Sequence, residues 1–307
     1  MYNIKQAAGR AGVSVPVLRA WERRYGIVRP ERSASGYRRF DDEDVARVRT
    51  MRGLVDAGWS PSAAATAILE GRVPVEVAAQ ASNPLDAGAG ADAGTDRDPG
   101  AHELADRLVS AAAALDASAI DSVLDDLFAR GSFERVADGL LFPALERLGD
   151  AWAAGIVTVA GEHLASNAVL RRLGLALNAA GPPSAGRPRV IVGLPPGARH
   201  ELGALAFAVA ARRAGLPVAY LGPDLPVNDW ISAADGAAAA VVGVVTGRER
   251  RAALDVARSL RQTHPGLVVA FGGAAAPDEP GVVRLQASLP ASVAALAATI
   301  DARAQPN

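Results

Sequence analysis

The period of the hydrophobic positions changes along the chain, and each change predicts a different architecture. Ile4, Ala7, Ala8 and Ala11 recur at helical spacing and stop at Gly12. Ser14 is a good N-cap for a second helix, Val15 to Arg24, and Pro16 falls in its first turn, where the missing N–H does no harm. Two short helices around a Gly-containing turn predict a helix-turn-helix. The stretch from Ile27-Val28-Arg29-Pro30 to Gly36-Tyr37-Arg38-Arg39-Phe40 reads as a basic hairpin. Asp41-Asp42 then opens a helix with Val45, Val48, Met51 and Val55 on one stripe, ended by Gly58. Ser60-Pro61 opens another, as an N-cap followed by an N1 proline.

Periodicity disappears between Asn83 and Gly100, where one large aliphatic and no aromatic residue occur. Such a stretch cannot bury enough surface to fold, and it reads as a tether. From 102 to 180 the helical period returns. Leu104, Leu108 and Ala111-Ala112 mark one helix, and Ile120, Val123, Leu124 and Leu127 a second. Val136, Leu140, Leu141, Leu145, Leu148 and Trp152 mark a third, disturbed at Pro143, and Leu164, Val169, Leu170, Leu173 and Leu177 a fourth. Four amphipathic helices with short loops predict an antiparallel bundle.

Beyond 188, short apolar runs alternate with helical stretches. Strands are expected at Arg189–Leu194, Val218–Leu221, Ala240–Val245, Leu267–Phe271 and Val282–Leu285. Helices are expected at Leu202–Ala214, Val227–Ala234, Arg248–Thr263 and Ser292–Ala302. This predicts a doubly wound, Rossmann-like α/β domain with a parallel sheet. The organisation is therefore multidomain: a winged helix-turn-helix at 1–72, a linker at 73–101, a four-helix bundle at 102–181 and a Rossmann-like domain at 188–303.

Composition sharpens the picture. The 307 residues include no cysteine, which excludes disulfides, Cys-ligated zinc, iron–sulfur clusters and thiol catalysis. No apolar run has the length of a membrane span, and Met1-Tyr2-Asn3-Ile4-Lys5 lacks the apolar core of a signal peptide, so a cytoplasmic protein with no membrane partner is expected. The net charge of −1 conceals an asymmetry: residues 1–52 carry 12 Lys/Arg against 6 Asp/Glu, leaving 20 against 27 for the rest. A basic N-terminal module on an acidic body points to a polyanion, with nucleic acid the foremost candidate.

Gly12-Val13-Ser14, Leu18-Arg19-Ala20-Trp21-Glu22-Arg23 and Gly36-Tyr37-Arg38-Arg39-Phe40, followed by an acidic cluster, resemble the MerR family of winged-helix regulators over about residues 2–70. The resemblance implies that Ser14, Val17, Arg19, Trp21 and Arg23 serve the recognition helix, with Tyr37, Arg38 and Arg39 on the wing against a double-stranded DNA operator. The chemistry agrees, since arginines pair with phosphates or read guanine edges and Tyr and Trp contact the backbone. The plainer alternative makes the arginines a solvated face and Trp21 core.

Trp152 is followed by Val159 and, after nine intervening residues, by Glu162-His163. Helical spacing alone would make Trp152 and Val159 core and Glu162-His163 a surface pair. Yet 37 residues beyond His163 stands Arg199-His200-Glu201-Leu202-Gly203, directly after the first strand. Trp-x9-Glu-His and His-x-x-Gly together resemble the CarH/LitR type of light-responsive, cobalamin-binding MerR regulators. That resemblance implies Trp152, Val159, Glu162 and His163 over a corrinoid's upper face, His200 as cobalt ligand, and Gly203, Thr246, Gly272 and Gly273 lining the slot for the cofactor's tail. Cobalamin, foremost adenosylcobalamin, is the expected cofactor.

Two departures stand out. Ala198 occupies the position of the motif's carboxylate, and Ala153 that of the histidine following the tryptophan in light-switching members. A carboxylate fixes the tautomer of a ligand histidine, and its loss typically weakens metal binding about 10–100-fold. Glu201 is adjacent but would start the helix pointing elsewhere. Weakened ligation, a His-off mode or a lost cofactor are the expectations that follow. Three functions compete: a DNA-binding regulator, foremost a repressor, that senses cobalamin, with or without light, through its dimer or tetramer state; a regulator with another ligand or none; and a corrinoid carrier of a methyltransferase, which the N-terminal module disfavours. No Ser/His/Asp triad or Gly-rich phosphate loop suggests an enzyme, and His102 and His264 read as surface residues.

Overall fold

α1 (Ile4–Ala11) is fixed by a reciprocal cap: Gln6 N donates to Asn3 Oδ1 at 2.9 Å while Asn3 N donates to Gln6 Oε1 at 3.0 Å. α2 (Val15–Tyr25) starts at Ser14, whose hydroxyl accepts from Val17 N at 3.4 Å, and ends at Gly26 in the left-handed region. The computed structural model describes residues 1–32, 38–56, 59, 61–75, 99–181, 188–286 and 288–304. The hairpin tip with Gly36 and Tyr37, then Gly58, Ser60 and 76–98 of the linker lie outside the described residues. Contacts within the chain form two units, 1–123 with 142–165 and 124–141 with 166–307.

In the first unit, β1 (Glu31–Arg32) pairs antiparallel with β2 (Arg38–Arg39), and a bridge between Tyr2 and Phe40 ties the wing to the N-terminus. α3 (Asp42–Asp56) places Asp42, Glu43 and Asp44 in its first turn, where the helix dipole favours negative charge. With α4 (Pro61–Leu69) it encloses Leu18, Trp21, Ile27, Phe40 and Met51, all fully buried. α5 (Pro99–Ala113) packs along α8 (Phe142–Ala153), and Arg147 Nε donates to Asp106 Oδ1 at 2.6 Å. Between them in sequence run α6 (Ala117–Phe128) and a third helix that is interrupted. α7 (Phe133–Val136) passes through a π turn at Ala137–Leu141 before α8 begins. Pro143 supplies the reason, since its missing N–H cannot serve the preceding turn. The expected disturbance is thus a widened turn on the N-terminal side of the proline. α9 (Val159–Ala179) completes the set, and Arg172 pairs with Asp125 in the second unit.

The second unit is built on a sheet. β3 (Val190–Gly193), β4 (Val218–Gly222), β5 (Ala239–Gly243), β6 (Val268–Gly272) and β7 (Val283–Arg284) are parallel, in the order β4-β3-β5-β6-β7. β3 and β5 are buried throughout, as strands covered on both faces must be. α10 (Leu202–Arg213), α11 (Val227–Ala233), α12 (Arg250–Thr263) and α13 (Leu289–Ala304) are the crossovers and the closing helix. The predicted elements are all present, with α13 starting three residues earlier than expected. His264 departs from its expected surface position: it is half-buried, with Nε2 3.0 Å from Ile231 O.

The loop after β6 turns on Gly273 at φ +104, where an added Cβ would lie 2.4 Å from Val244 O. The close approach requiring glycine is therefore made by the neighbouring loop of the protein itself, and Ala275 N donates to that same carbonyl at 3.1 Å. Gly273→Ala should cost about 1–3 kcal/mol. Gly272→Ala, whose Cβ would meet Leu285 Cδ1 at an ordinary 3.5 Å, should be close to neutral, and thermal unfolding of the two variants checks the contrast.

Candidate functional site

On α2 the helical period sorts the residues by face. Val17, Leu18 and Trp21 face the core, and Trp21 is only 1% exposed. Arg19 and Arg23, one turn apart, are exposed, and Arg39 is exposed on the wing. Val17 and Trp21, expected among the DNA-facing residues, are thus core in this conformation, and Ser14 spends its hydroxyl on the cap. Trp21 has a second commitment: its indole N–H donates to the carbonyl of Ala153, and Arg24 reaches Ala154 O at 3.4 Å. Trp152 and Ala153 pack on the core of the N-terminal module. Arg38 is held by Glu22 at 2.7 Å across an exposed surface, an interaction worth about 0–1 kcal/mol and readily exchanged for another anion.

Trp152, Val159, Glu162 and His163 all fall in the first unit, at the end of α8 and the start of α9. Val159 and His163 are exposed, and His163 Nε2 lies 3.7 Å from Glu162 Oε2. Trp152 is half-buried, but its Nε1 is buried and has no acceptor among the described residues. A buried donor left so costs about 1–3 kcal/mol.

His200, Gly203, Thr246, Gly272 and Gly273 belong to the second unit. β3 pairs with both β4 and β5, so the loops after β3 and β5 meet at the carboxyl edge where the strand order reverses, the place where doubly wound sheets receive ligands. The β3 loop is tied down by Asp224. Its Oδ1 accepts from Gly197 N at 2.6 Å and its own N–H donates to Ala198 O at 3.0 Å. His200 leaves this loop with a side chain 62% exposed. Gly203 lies at the second position of α10, where an added Cβ would meet nothing within 4 Å.

Glu201 turns away from His200: its Oε2 accepts from Tyr220 Oη at 2.8 Å. Burial, and then that hydrogen bond, push the Tyr220 phenol far above its ordinary pKa, so it stays a donor. The carboxylate facing His200 comes instead from Glu249, which sequence reasoning missed. Glu249 is only 7% exposed, and its Oε2 accepts from Val245 N at 2.6 Å and Thr246 N at 3.0 Å. Its Oε1 stands 3.5 Å from His200 Nδ1. Burial raises its pKa, but the hydrogen bonds from His200 and from the two amides prevail and hold the carboxyl below the usual range. Thr246 therefore contributes its amide to holding Glu249. The Thr246-x-x-Glu249 spacing of a capping box was the available signal for this arrangement.

Comparisons with known proteins place the chain in a family. Residues 2–70 match the model of the MerR HTH family regulatory proteins, and residues 104–176 match a B12 binding domain. The HTH-type transcriptional repressor CarH of Myxococcus xanthus is 36% identical over 281 residues, covering 90% of this chain and 89% of CarH. The repressor CarA of the same organism is 32% identical over 225 residues, covering 73% of this chain and 69% of CarA. The monomethylamine corrinoid protein of Methanosarcina barkeri has the same fold over 65% of this chain and 96% of its own, with TM-score 0.52 and 15% identity. The chain belongs to the MerR family of DNA-binding regulators, in the branch that joins the helix-turn-helix to a B12-binding domain.

The residues present fit such a cofactor. Among the described residues there is no cluster of three or more His, Cys, Asp or Glu able to hold a bare metal ion. One exposed imidazole backed by a carboxylate suits a metal that brings its own equatorial nitrogens and needs an axial ligand, as cobalt in a corrin does. Among the described residues no helix is long and apolar enough to cross a membrane. The anchoring of the β3 loop can be tested directly. Asp224→Ala should cost about 1–2 kcal/mol and strip hydrogen-exchange protection from the Gly197 amide, while Asp224→Asn, which keeps an acceptor oxygen, should retain most of it.

Proposed function

We propose that this regulator is a cytoplasmic, non-enzymatic transcriptional repressor whose DNA binding is set by a cobalamin, foremost adenosylcobalamin, ligated by His200. The observation that carries the proposal is the placement of His200, exposed at the switch point of the sheet with a buried carboxylate behind its Nδ1. Support for repression comes from the CarH and CarA relatives, both named repressors. Bound cobalamin would supply cobalt for His200 to ligate and, in the adenosyl form, a light-sensitive cobalt–carbon bond. The protein's part is to present the His200 imidazole, to seat the corrinoid's tail at Gly203 and the Gly272-Gly273 loop, and to offer Trp152, Val159, Glu162 and His163 from the bundle. A light response would proceed without a histidine at 153, where Ala153 stands. Cofactor-dependent self-association as a dimer or tetramer would then decide how many DNA-binding modules engage an operator at once.

On the DNA side, Arg19, Arg23, Arg38 and Arg39 are the contacts expected from the exposed faces. Arg38→Ala should weaken operator binding and lower the salt slope by about one, measured by titration across salt concentrations. Protein incubated with adenosylcobalamin in the dark and desalted should retain a corrinoid spectrum with a histidine-ligated signature. His200→Ala should abolish that signature. Colourless wild-type protein that still bound DNA would show a scaffold kept without its cofactor.

A further inference from the structure

In the motif that the stretch around His200 resembles, a carboxylate stands two residues before the histidine. Here Ala198 holds that position: it is fully buried, has no side-chain acceptor, and its carbonyl already accepts from Asp224 N at 3.0 Å. The geometry points to a replacement from the loop after the neighbouring strand: we propose that Glu249 is the positioning carboxylate of His200, taking over the task that Ala198 cannot perform. The proposal rests on His200 being the cobalt ligand.

The sheet makes the substitution possible. In the parallel register Gly193, the last residue of β3, lies opposite Val242 near the end of β5. The chains leaving the two strands therefore start side by side. Position 249 sits six residues past β5, in the 3₁₀ turn Gly247–Glu249 that precedes α12. Its side chain folds back beneath the loop and is anchored by the Val245 and Thr246 amides, both on Oε2. With Oε2 doubly occupied, Oε1 is the oxygen turned to His200 Nδ1. At 3.5 Å the contact is long, and shortening by about 0.5 Å would bring it to ordinary hydrogen-bond length.

The chemical consequence is specific. A carboxylate has no proton to donate, so it selects the imidazole tautomer with hydrogen on Nδ1 and the lone pair on Nε2. That leaves Nε2, on an exposed ring, as the nitrogen suited to an axial metal. An amide in the same place would act oppositely. In Glu249→Gln the amide oxygen can keep the Val245 and Thr246 donors, which turns its NH2 toward Nδ1 and favours the Nε2–H tautomer. Glu249 is thus a residue acting through His200, and the sign of its effect can be read without any cofactor.

The test uses the full chain labelled with 15N-histidine, observed by NMR without cobalamin above the pH of imidazole protonation, with His200→Ala assigning the resonance. Wild type should show the Nδ1–H tautomer, and Glu249→Gln should shift it toward Nε2–H. The same variant should bind cobalamin in the histidine-ligated form about 10–100-fold more weakly. A wild-type ring already in the Nε2–H form overturns the proposal without requiring any variant at 249 to fold. So does a folded Glu249→Gln protein with unchanged tautomer and affinity. Should His200→Ala leave the spectrum of bound cobalamin unchanged, the ligand assignment fails, a result separate from any tautomer.

Discussion

The adjacency of β3 and β5 is the constraint on which the rest of the C-terminal domain depends. Because the strand order reverses there, the loops leaving these two strands share one edge of the sheet. One loop carries His200 and the other carries Glu249, 49 residues apart in sequence. The loop after β6 closes on the same edge through Gly273 and the Val244 carbonyl. The edge is held by backbone groups with little freedom: the Gly197 amide on Asp224, the Val245 and Thr246 amides on Glu249, and Ala275 N on Val244 O. An exposed imidazole on such a base is preorganised, and this limits the entropy lost when it takes a ligand.

The N-terminal module shows a different economy. Its recognition helix offers arginines to solvent on one face and places Trp21 in the core on the other. The polar edge of that indole then goes to Ala153, next to Trp152, one of the bundle's candidate corrinoid residues. Within the first unit, α2 and that bundle segment are therefore in direct contact.

Much of this was legible from the chain. Short apolar runs placed the strands and the 3.6 period the helices, because strands buried on both faces and amphipathic helices leave strong patterns. His200 could be placed at the sheet's carboxyl edge because it directly follows the first strand of an alternating series. Glu249 could not be recognised, although Thr246-x-x-Glu249 announced a cap, because its partner is set by strand order and no local pattern encodes that. Gly273 was read as making room for a ligand, whereas the atom nearest it is Val244 O, again a contact between loops distant in sequence. Trp21 shows the limit in another way. The plainer alternative made Trp21 core while its family motif suggested the DNA face, and the packing follows the plainer alternative.

The central claim is that the imidazole of His200 meets cobalt in a domain whose own motif lacks its carboxylate. Electron paramagnetic resonance of the protein loaded with cob(II)alamin tests it most directly, comparing natural-abundance protein with protein carrying 15N-histidine. Axial coordination by a protein histidine predicts that nitrogen superhyperfine triplets become doublets on labelling and that the change disappears in His200→Ala. Triplets that persist in the labelled protein would assign the axial nitrogen to the cofactor's own base, and would contradict the account.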